Sequence, residues 1–286
     1  MKGQVFKVIS DSYLVCSENN QIIKCKAKGT LKLNNLNKIT VGDYCVVEDG
    51  VITSICQRKN KFIRPNVANI DVFLIVVAPT PAIDWFLVDK VIINAIQNNV
   101  QVIIAVNKSE IDNGLYKQIK KEYQNLDIEF FSISALTGEG IDQLKQHLKG
   151  KTVVLAGQSA VGKTSIVNKI LGTNFKTGIL SQKIERGKHT TTFSEIFVNE
   201  DVKIVDSPGF AAIDAQISTQ QLKEFYPEYE NLKEQCRFRG CNHINEPDCA
   251  VKEQVKQGVL SQDRYLRYKE IYKDLLERRD KNYGKN

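Results

Sequence analysis

Between residues 4 and 55, apolar and polar side chains alternate in five short stretches, 4–8, 12–16, 21–25, 43–47 and 50–55. A period of two puts every second side chain on one face, the mark of half-buried strands. The stretches are separated where turn formers gather, at Glu18-Asn19-Asn20, Gly42-Asp43 and Asp49-Gly50. Five such strands in under 60 residues predict a small β-barrel such as an OB-fold; an SH3-like barrel or an accessory sheet would give the same pattern.

The period changes after the basic connector Arg58-Lys59-Asn60-Lys61-Phe62-Ile63-Arg64-Pro65-Asn66. Residues 72–78 are a continuous apolar run, as expected of a strand buried on both faces. Residues 84–98 carry Trp85, Val88, Val91, Ile92, Ala95 and Ile96 at helical spacing. A strand at 102–106, a helix at 115–123, a strand at 128–133, a helix after Gly140, a strand at 152–156 and a helix at 163–171 follow, then strands near 194–198 and 202–205. This alternation predicts a doubly wound parallel sheet. Beyond Ala211 the chain turns polar. There, 222–232 and a segment from about Ser261 read as helices, the second with Tyr268, Ile271, Tyr272, Leu275 and Leu276 on one stripe. The expected domains are a barrel over 1–65, an α/β domain over 66–214 and a helical module over 215–286.

Composition sets outer bounds. With 42% hydrophobic and 26% charged residues the chain reads as an ordinary soluble protein. Its longest apolar run is too short for a bilayer, and its first residues hold no apolar signal segment. A cytoplasmic protein with no membrane partner is therefore expected. Residues 1–65 hold 11 Lys and Arg against 5 Asp and Glu, residues 66–255 hold 20 against 23, and residues 256–286 hold 9 against 5. Basic ends around a near-neutral middle suit contact with nucleic acid or a ribosome, although solvated lysines would give the same count. Cys16, Cys25, Cys45 and Cys56 are scattered among strand-like residues and read as buried free thiols.

The chemistry lies in four motifs. Gly157-Gln158-Ser159-Ala160-Val161-Gly162-Lys163-Thr164 matches the phosphate-loop spacing, follows an apolar strand and opens a helix. Its glycines let backbone N–H groups wrap phosphates, Lys163 reaches the β- and γ-phosphates, and the Thr164 hydroxyl ligates Mg²⁺. Asp206-Ser207-Pro208-Gly209 ends a later strand and suits a second magnesium carboxylate, with the Gly209 N–H open to a γ-phosphate. Asn107-Lys108-Ser109-Glu110 ends an earlier strand. A carboxylate at Glu110 accepts from N1–H and the exocyclic amine of guanine, donors that adenine lacks. Ser134-Ala135-Leu136 follows it as a further base-side element. The order is rotated, because the base-reading motifs precede the phosphate loop. Between that loop and Asp206 lies Arg186-Gly187-Lys188-His189-Thr190-Thr191-Thr192, where a threonine can close on Mg²⁺ when the γ-phosphate is present. Phe210 rather than glutamine follows Gly209, so His189 is the nearest candidate to orient the attacking water. Finally, Cys236, Cys241, His243 and Cys249 fall within 14 residues and offer three thiolates and an imidazole, a donor set for a closed structural zinc site.

With these residues the chain resembles, over essentially its whole length, the circularly permuted ribosome-biogenesis GTPases of the small-subunit-dependent GTPase A type. The resemblance rests on the barrel, the rotated order of residues 107–110, 134–136, 157–165 and 206–209, the run His189-Thr190-Thr191-Thr192, and the Cys/His cluster. It implies an OB-fold, a permuted GTPase domain and a helical zinc-binding domain. It also implies a GTP/GDP site built from Asn107, Lys108, Glu110, the Ser134 run, the loop through Ser165, Thr191, Thr192, Asp206 and Gly209, with magnesium on Thr164, Thr191 and Asp206. Catalytic roles fall on His189 and Lys163. The implied partners are the 30S subunit and its 16S rRNA, which would stimulate hydrolysis by a monomeric protein late in subunit maturation. Ala160 stands where the family usually has Gly, and Glu110 where it usually has Asp. Two other functions fit the same residues: a nucleotide-gated RNA-binding protein with incidental hydrolysis, and an assembly factor that uses ATP.

Overall fold

The computed structural model describes residues 1–33, 38–62, 66–112, 114–173, 194–199, 202–206 and 217–283. The five alternating stretches are strands β1 (Lys2–Ile9), β2 (Ser12–Ser17), β3 (Ile22–Ala27), β4 (Tyr44–Glu48) and β5 (Val51–Ile55), with a short helix α1 (Gly29–Leu33) after β3. β1 pairs antiparallel with both β2 and β4, β3 runs parallel to β5, and β4 pairs antiparallel with β5. The sheet thus closes in the order β1-β2-β3-β5-β4-β1, the five-stranded barrel of the OB type. Val5, Tyr13, Val15, Cys25, Cys45 and Ile52 are among the buried side chains that form the barrel core. The four scattered cysteines are free, with Cys16, Cys25 and Cys45 buried and Cys56 half-buried.

A two-stranded ribbon, β6 (Lys61–Phe62) with β7 (Val67–Ala68), leads into the central domain. Its strands are β8 (Val72–Val77), β9 (Gln101–Val106), β10 (Glu129–Ser132), β11 (Thr152–Ala156), β12 (Glu195–Asn199) and β13 (Val202–Asp206). Its helices are α2 (Trp85–Gln97), α3 (Gly114–Glu122), α4 (Ile141–Leu148) and α5 (Lys163–Leu171). The strand order is β10-β9-β8-β11-β13-β12. Five strands are parallel as expected, but β12 is antiparallel to β13. Too few residues separate the two for the crossover a parallel pair needs, so they form a hairpin. Alternate residues of β8 feed opposite cores. Phe73, Ile75 and Val77 meet Val88, Val91 and Ile92 of α2 on one face. Val72, Leu74 and Val76 join Leu144 of α4 and Ile166 and Ile170 of α5 on the other. Two covered faces explain why β8 reads as an unbroken apolar run. β12 continues the sheet into the barrel, with Lys7 facing Glu195 in register and their side chains ion-paired at 2.6 Å.

The C-terminal region differs from the sequence expectation in two respects, a broken helix and an added one. Residues 222–232 are not an α-helix but two 3₁₀ stretches, Leu222–Phe225 and Pro227–Gln235. Pro227 has no N–H to donate and keeps Tyr226 out of the helical region, at φ −119° and ψ 81°. Helices α6 (Ala250–Lys256) and α7 (Gln262–Tyr283) complete the region. It packs on α2, with Ile93 entering a core of Tyr226, Tyr229, Tyr265 and Tyr268. At its edge Asp89 of α2, fully buried, accepts from Arg264 at 2.6 Å, from Arg267 at 2.5 Å and from the Tyr123 hydroxyl at 2.8 Å. Glu228 closes on Arg264, and Glu122 on Arg267 at 2.6 Å. Buried charges of this kind hold only when each is matched, and here the matching groups come from α2, α3, the second 3₁₀ stretch and α7. Among the described residues no helix is long and apolar enough to cross a membrane.

Candidate nucleotide site and metal centre

The phosphate loop runs from the end of β11 to the start of α5, and two of its glycines are dictated by neighbours. Gly157 has φ 129°, and a Cβ there would lie 2.3 Å from the Val76 carbonyl oxygen of the adjacent strand. Gly162, at φ 96°, caps α5, and a Cβ there would lie 2.2 Å from Nδ2 of Asn107. Ala160 also adopts a positive φ, 65°, which costs a residue with a Cβ roughly 1–2 kcal/mol. That strain is the physical reason a glycine is the usual occupant. Lys163 folds over the loop and donates to the carbonyls of Gly157 and Gln158, both at 2.7 Å. Burial lowers its pKa to about 8. A phosphate in the loop would restore the charge and take the ammonium from those carbonyls. Val161 is buried, Ser159 is exposed, and Thr164 and Ser165 are half-buried in the first turn of α5.

The rotated motifs come back together around Asn107, the first residue past β9, beside the loop. Its Nδ2 donates to the Val161 carbonyl at 2.8 Å and its Oδ1 accepts from the Ala135 N–H at 2.9 Å. One buried amide thus joins the base-reading motif, the Ser134 run and the phosphate loop. Lys108, at φ 63°, reaches across the loop to donate to Ala160 O at 3.0 Å and Thr80 O at 2.7 Å. Its aliphatic stem therefore has a fixed course beside the loop. The Ser134 hydroxyl hydrogen-bonds the Glu110 carboxylate and lowers its pKa, with help from backbone N–H and from Lys108. Glu110 is therefore a charged, oriented and solvent-open acceptor, as the reading of a guanine edge requires. Leu136 is 77% exposed at the same rim.

Two partners escaped the sequence. Gln158 donates to Ala82 O at 2.7 Å and accepts from the Asp84 N–H at 2.7 Å, while the Asp84 carboxylate caps α2 through Leu87 N at 2.9 Å. The loop is thereby tied to the helix that carries Asp89. Only the N-cap residue before a helical stripe could have signalled this. Asp206 ends β13, which runs parallel to β11 with Val205 opposite Val154, so its backbone lies beside the strand that feeds the loop. His189, Thr191, Thr192 and Gly209 lie outside the described residues.

The metal centre is compact. Cys236, Cys241, His243 and Cys249 present donor atoms that all lie within 4.8 Å of one another. The Cys236 and Cys249 sulfurs are 3.9 Å apart, and Nδ1 of His243 lies 3.6 Å from the first and 3.3 Å from the second. Tetrahedral zinc with bonds of roughly 2.0–2.3 Å sets its ligand atoms about 3.5–3.8 Å apart. The four donors fit that ion and leave no open position for catalysis. Burial lowers the His243 imidazole to about 4 and raises the Cys241 thiol to about 12. Each group is thus held neutral until a cation draws on its donor atoms. The positive φ of His243, 60°, turns the chain so that Nδ1 faces the sulfurs.

An OB-type barrel, a phosphate-loop domain with its base motifs upstream, and a Cys₃His module together define a circularly permuted GTP-binding protein. Residues 55–216 match the model of the RsgA GTPase family, and residues 2–51 match that of the RsgA N-terminal domain. A relative from Caldanaerobacter subterraneus subsp. tengcongensis, named small ribosomal subunit biogenesis GTPase RsgA, is 35% identical over 99% of this chain and 98% of its own. The crystal structure of YjeQ from Thermotoga maritima superposes with a TM-score of 0.82 at 33% identity, covering 96% of this chain and 98% of that one. YloQ, described as a circularly permuted GTPase, gives 0.78 at 27% identity over 97% and 95%. The chain belongs to the RsgA GTPase family.

Proposed function

We propose that this protein hydrolyses GTP while bound to the small ribosomal subunit, late in the subunit's maturation, and that the subunit and its 16S rRNA stimulate turnover. The observation that carries the GTPase half is the Asn107 amide, which joins base and phosphate motifs into one site. The ribosomal half is supported by the relatives' printed function and by the basic N-terminal segment.

In this reading Asn107, Lys108, Glu110 and residues 134–136 hold the guanine. Residues 157–165 cradle the phosphates, with Lys163 on the β- and γ-phosphates. Magnesium, which neutralises phosphate charge, would be held by Thr164, Thr191 and Asp206. His189 orients the attacking water, a role one hydrogen bond from a neutral imidazole suffices for. Thr192 and Gly209 line the γ-phosphate end. The working units are residues 1–65, 66–214 and 215–286, acting as a cytoplasmic monomer. The boundaries near 65 and 214 fall outside the described residues. Binding is tested by co-sedimentation with purified small subunits. The chain should pellet with a non-hydrolysable GTP analogue and remain in solution with GDP; equal pelleting in both states contradicts a nucleotide-gated role.

Base choice gives a sharper expectation. Once a bound base covers Glu110 and shuts it off from water, leaving that carboxylate unpaired costs a few kcal/mol, so GTP should bind at least about 100-fold more tightly than ATP in calorimetry. Glu110→Asp should keep or improve that preference. Equal affinities would show that Glu110 does not read guanine.

A further inference from the structure

A cleft of about 450 Å³ opens at the seam between the barrel and the central sheet, a volume within the range of small-ligand sites. The barrel lines it with Lys2, Gln4, Ser17 and Tyr44 and, at its exposed edge, with the carboxylate Glu18; the central sheet lines it with Lys203 of β13. Lys203 is half-buried there. Its Nζ donates to Gln4 Oε1 at 2.8 Å and stands 5.9 Å from the centre of the Tyr44 ring. Among the described residues no carboxylate ion-pairs with this ammonium: the acidic groups that act on it through space are the Cys16 thiol, held neutral by burial, and Asp71, which is paired with Lys59. A neutral amide and a ring face do not neutralise a cation withdrawn from water, so the cleft favours an anion at this point. Burial holds the Lys203 pKa below its ordinary value, consistent with a charge whose partner is missing.

Beside that cation is a stacking surface. Tyr44 is 38% exposed at the cleft, and Lys2 adds a second ammonium at the mouth. An aromatic ring flanked by lysines is the chemistry that grips a nucleotide, the base on the ring and the phosphate on the cations. The barrel segment is basic, with 11 Lys and Arg against 5 Asp and Glu over residues 1–65, which favours a polyanion over a lone nucleotide. The cleft lies where β1, β4 and the end of β2 meet the central sheet.

We propose that this seam cleft takes one unpaired nucleotide of an RNA strand, its phosphate against Lys203 and Lys2 and its base against Tyr44. This rests on the reading of the chain as an RNA-associated GTPase and adds where RNA would touch the GTPase domain itself. β13 runs from Val202 to Asp206, so a phosphate on Lys203 sits three residues from the proposed magnesium carboxylate on the same strand. RNA in the cleft would press on the barrel and on the nucleotide site at once.

The test titrates the full chain with a short fluorescent single-stranded RNA at several salt concentrations, using Lys203→Gln, Lys203→Arg and Tyr44→Leu. Lys203→Gln and Tyr44→Leu should each weaken binding about tenfold. Lys203→Gln should also lower the log–log salt slope by about one, and Lys203→Arg should restore it. GTP affinity and the thermal midpoint should be unchanged. Wild-type affinity and slope in both Lys203→Gln and Tyr44→Leu would overturn the cleft assignment. So would a mononucleotide such as UMP binding as tightly as the strand, which would make it a small-molecule site. Co-sedimentation of the unsubstituted protein with small subunits reports on the underlying reading separately, so the two can fail independently.

Discussion

Cys241→Ala is expected to lose its metal and to unfold most of the region from Leu222 to Lys256, while GTP affinity stays within a few-fold of its starting value. Structural zinc contributes roughly 10–16 kcal/mol of apparent binding free energy to small modules, far more than the short 3₁₀ stretches and one seven-residue helix of this region can replace. Cys241 is buried among the other donors and its carbonyl accepts from Lys223, so the metal and the 3₁₀ segment are tied together. The long helix should stay docked, because Arg264 and Arg267 remain closed on Asp89. Among the described residues no hydrogen bond or ion pair joins the nucleotide-site side chains to the cluster, so the site should be spared. Zinc content and far-ultraviolet circular dichroism check this directly. One equivalent of zinc retained by the variant, with unchanged ellipticity, would reject the metal assignment.

Gly157→Ala should abolish measurable GTP binding, a loss of at least about 100-fold, or on the order of 3 kcal/mol. The new methyl would stand 2.3 Å from the Val76 carbonyl oxygen at a φ of 129°, and that oxygen belongs to the central strand of the sheet, which cannot move aside. Gly162→Ala should be nearly as damaging by another route. Its Cβ would displace the Asn107 amide and with it the bonds to Val161 and Ala135, so base and phosphate contacts would fail together. Gly150→Ala is the control. It has a positive φ, 77°, but nothing within 4 Å of a new Cβ, so it should cost only backbone strain, about 1 kcal/mol, and leave GTP binding intact. The three variants are compared by fluorescent-GTP titration. A Gly157→Ala protein that binds GTP like its parent would mean that the loop is not built as described.

Much of this was legible from residue spacing. The five barrel strands, the two-faced burial of β8, the helix after Asp84 and the rotated motifs all follow from periodicity and from glycines at fixed offsets. These are local signals, set by backbone geometry within a few residues. The closure of the barrel was not local. The pairings of β1 with β4 and of β3 with β5 set the OB order, and both join strands distant in sequence. The broken 3₁₀ segment was missed because its apolar residues keep helical spacing while Pro227 forbids the helix. Short α6 was missed because seven residues give too little periodicity. The buried cluster around Asp89 left no trace at all. In the sequence Asp89 is a charge on an otherwise apolar stripe, and the arginines that match it lie more than 170 residues away. The link from Gln158 to Asp84 is invisible for the same reason. Long-range polar pairs are specified by the assembled fold and not by any window of sequence.

In the proposed function the rotated motifs rebuild a GTPase whose turnover answers to the small ribosomal subunit. GTP hydrolysis should therefore be measured in multiple-turnover conditions with and without purified small subunits, for the unsubstituted protein and for His189→Ala. The expected result is slow turnover alone, at least about tenfold faster turnover with subunits, and loss of most of that gain in His189→Ala with GTP affinity preserved. Equal turnover with and without subunits would contradict that function.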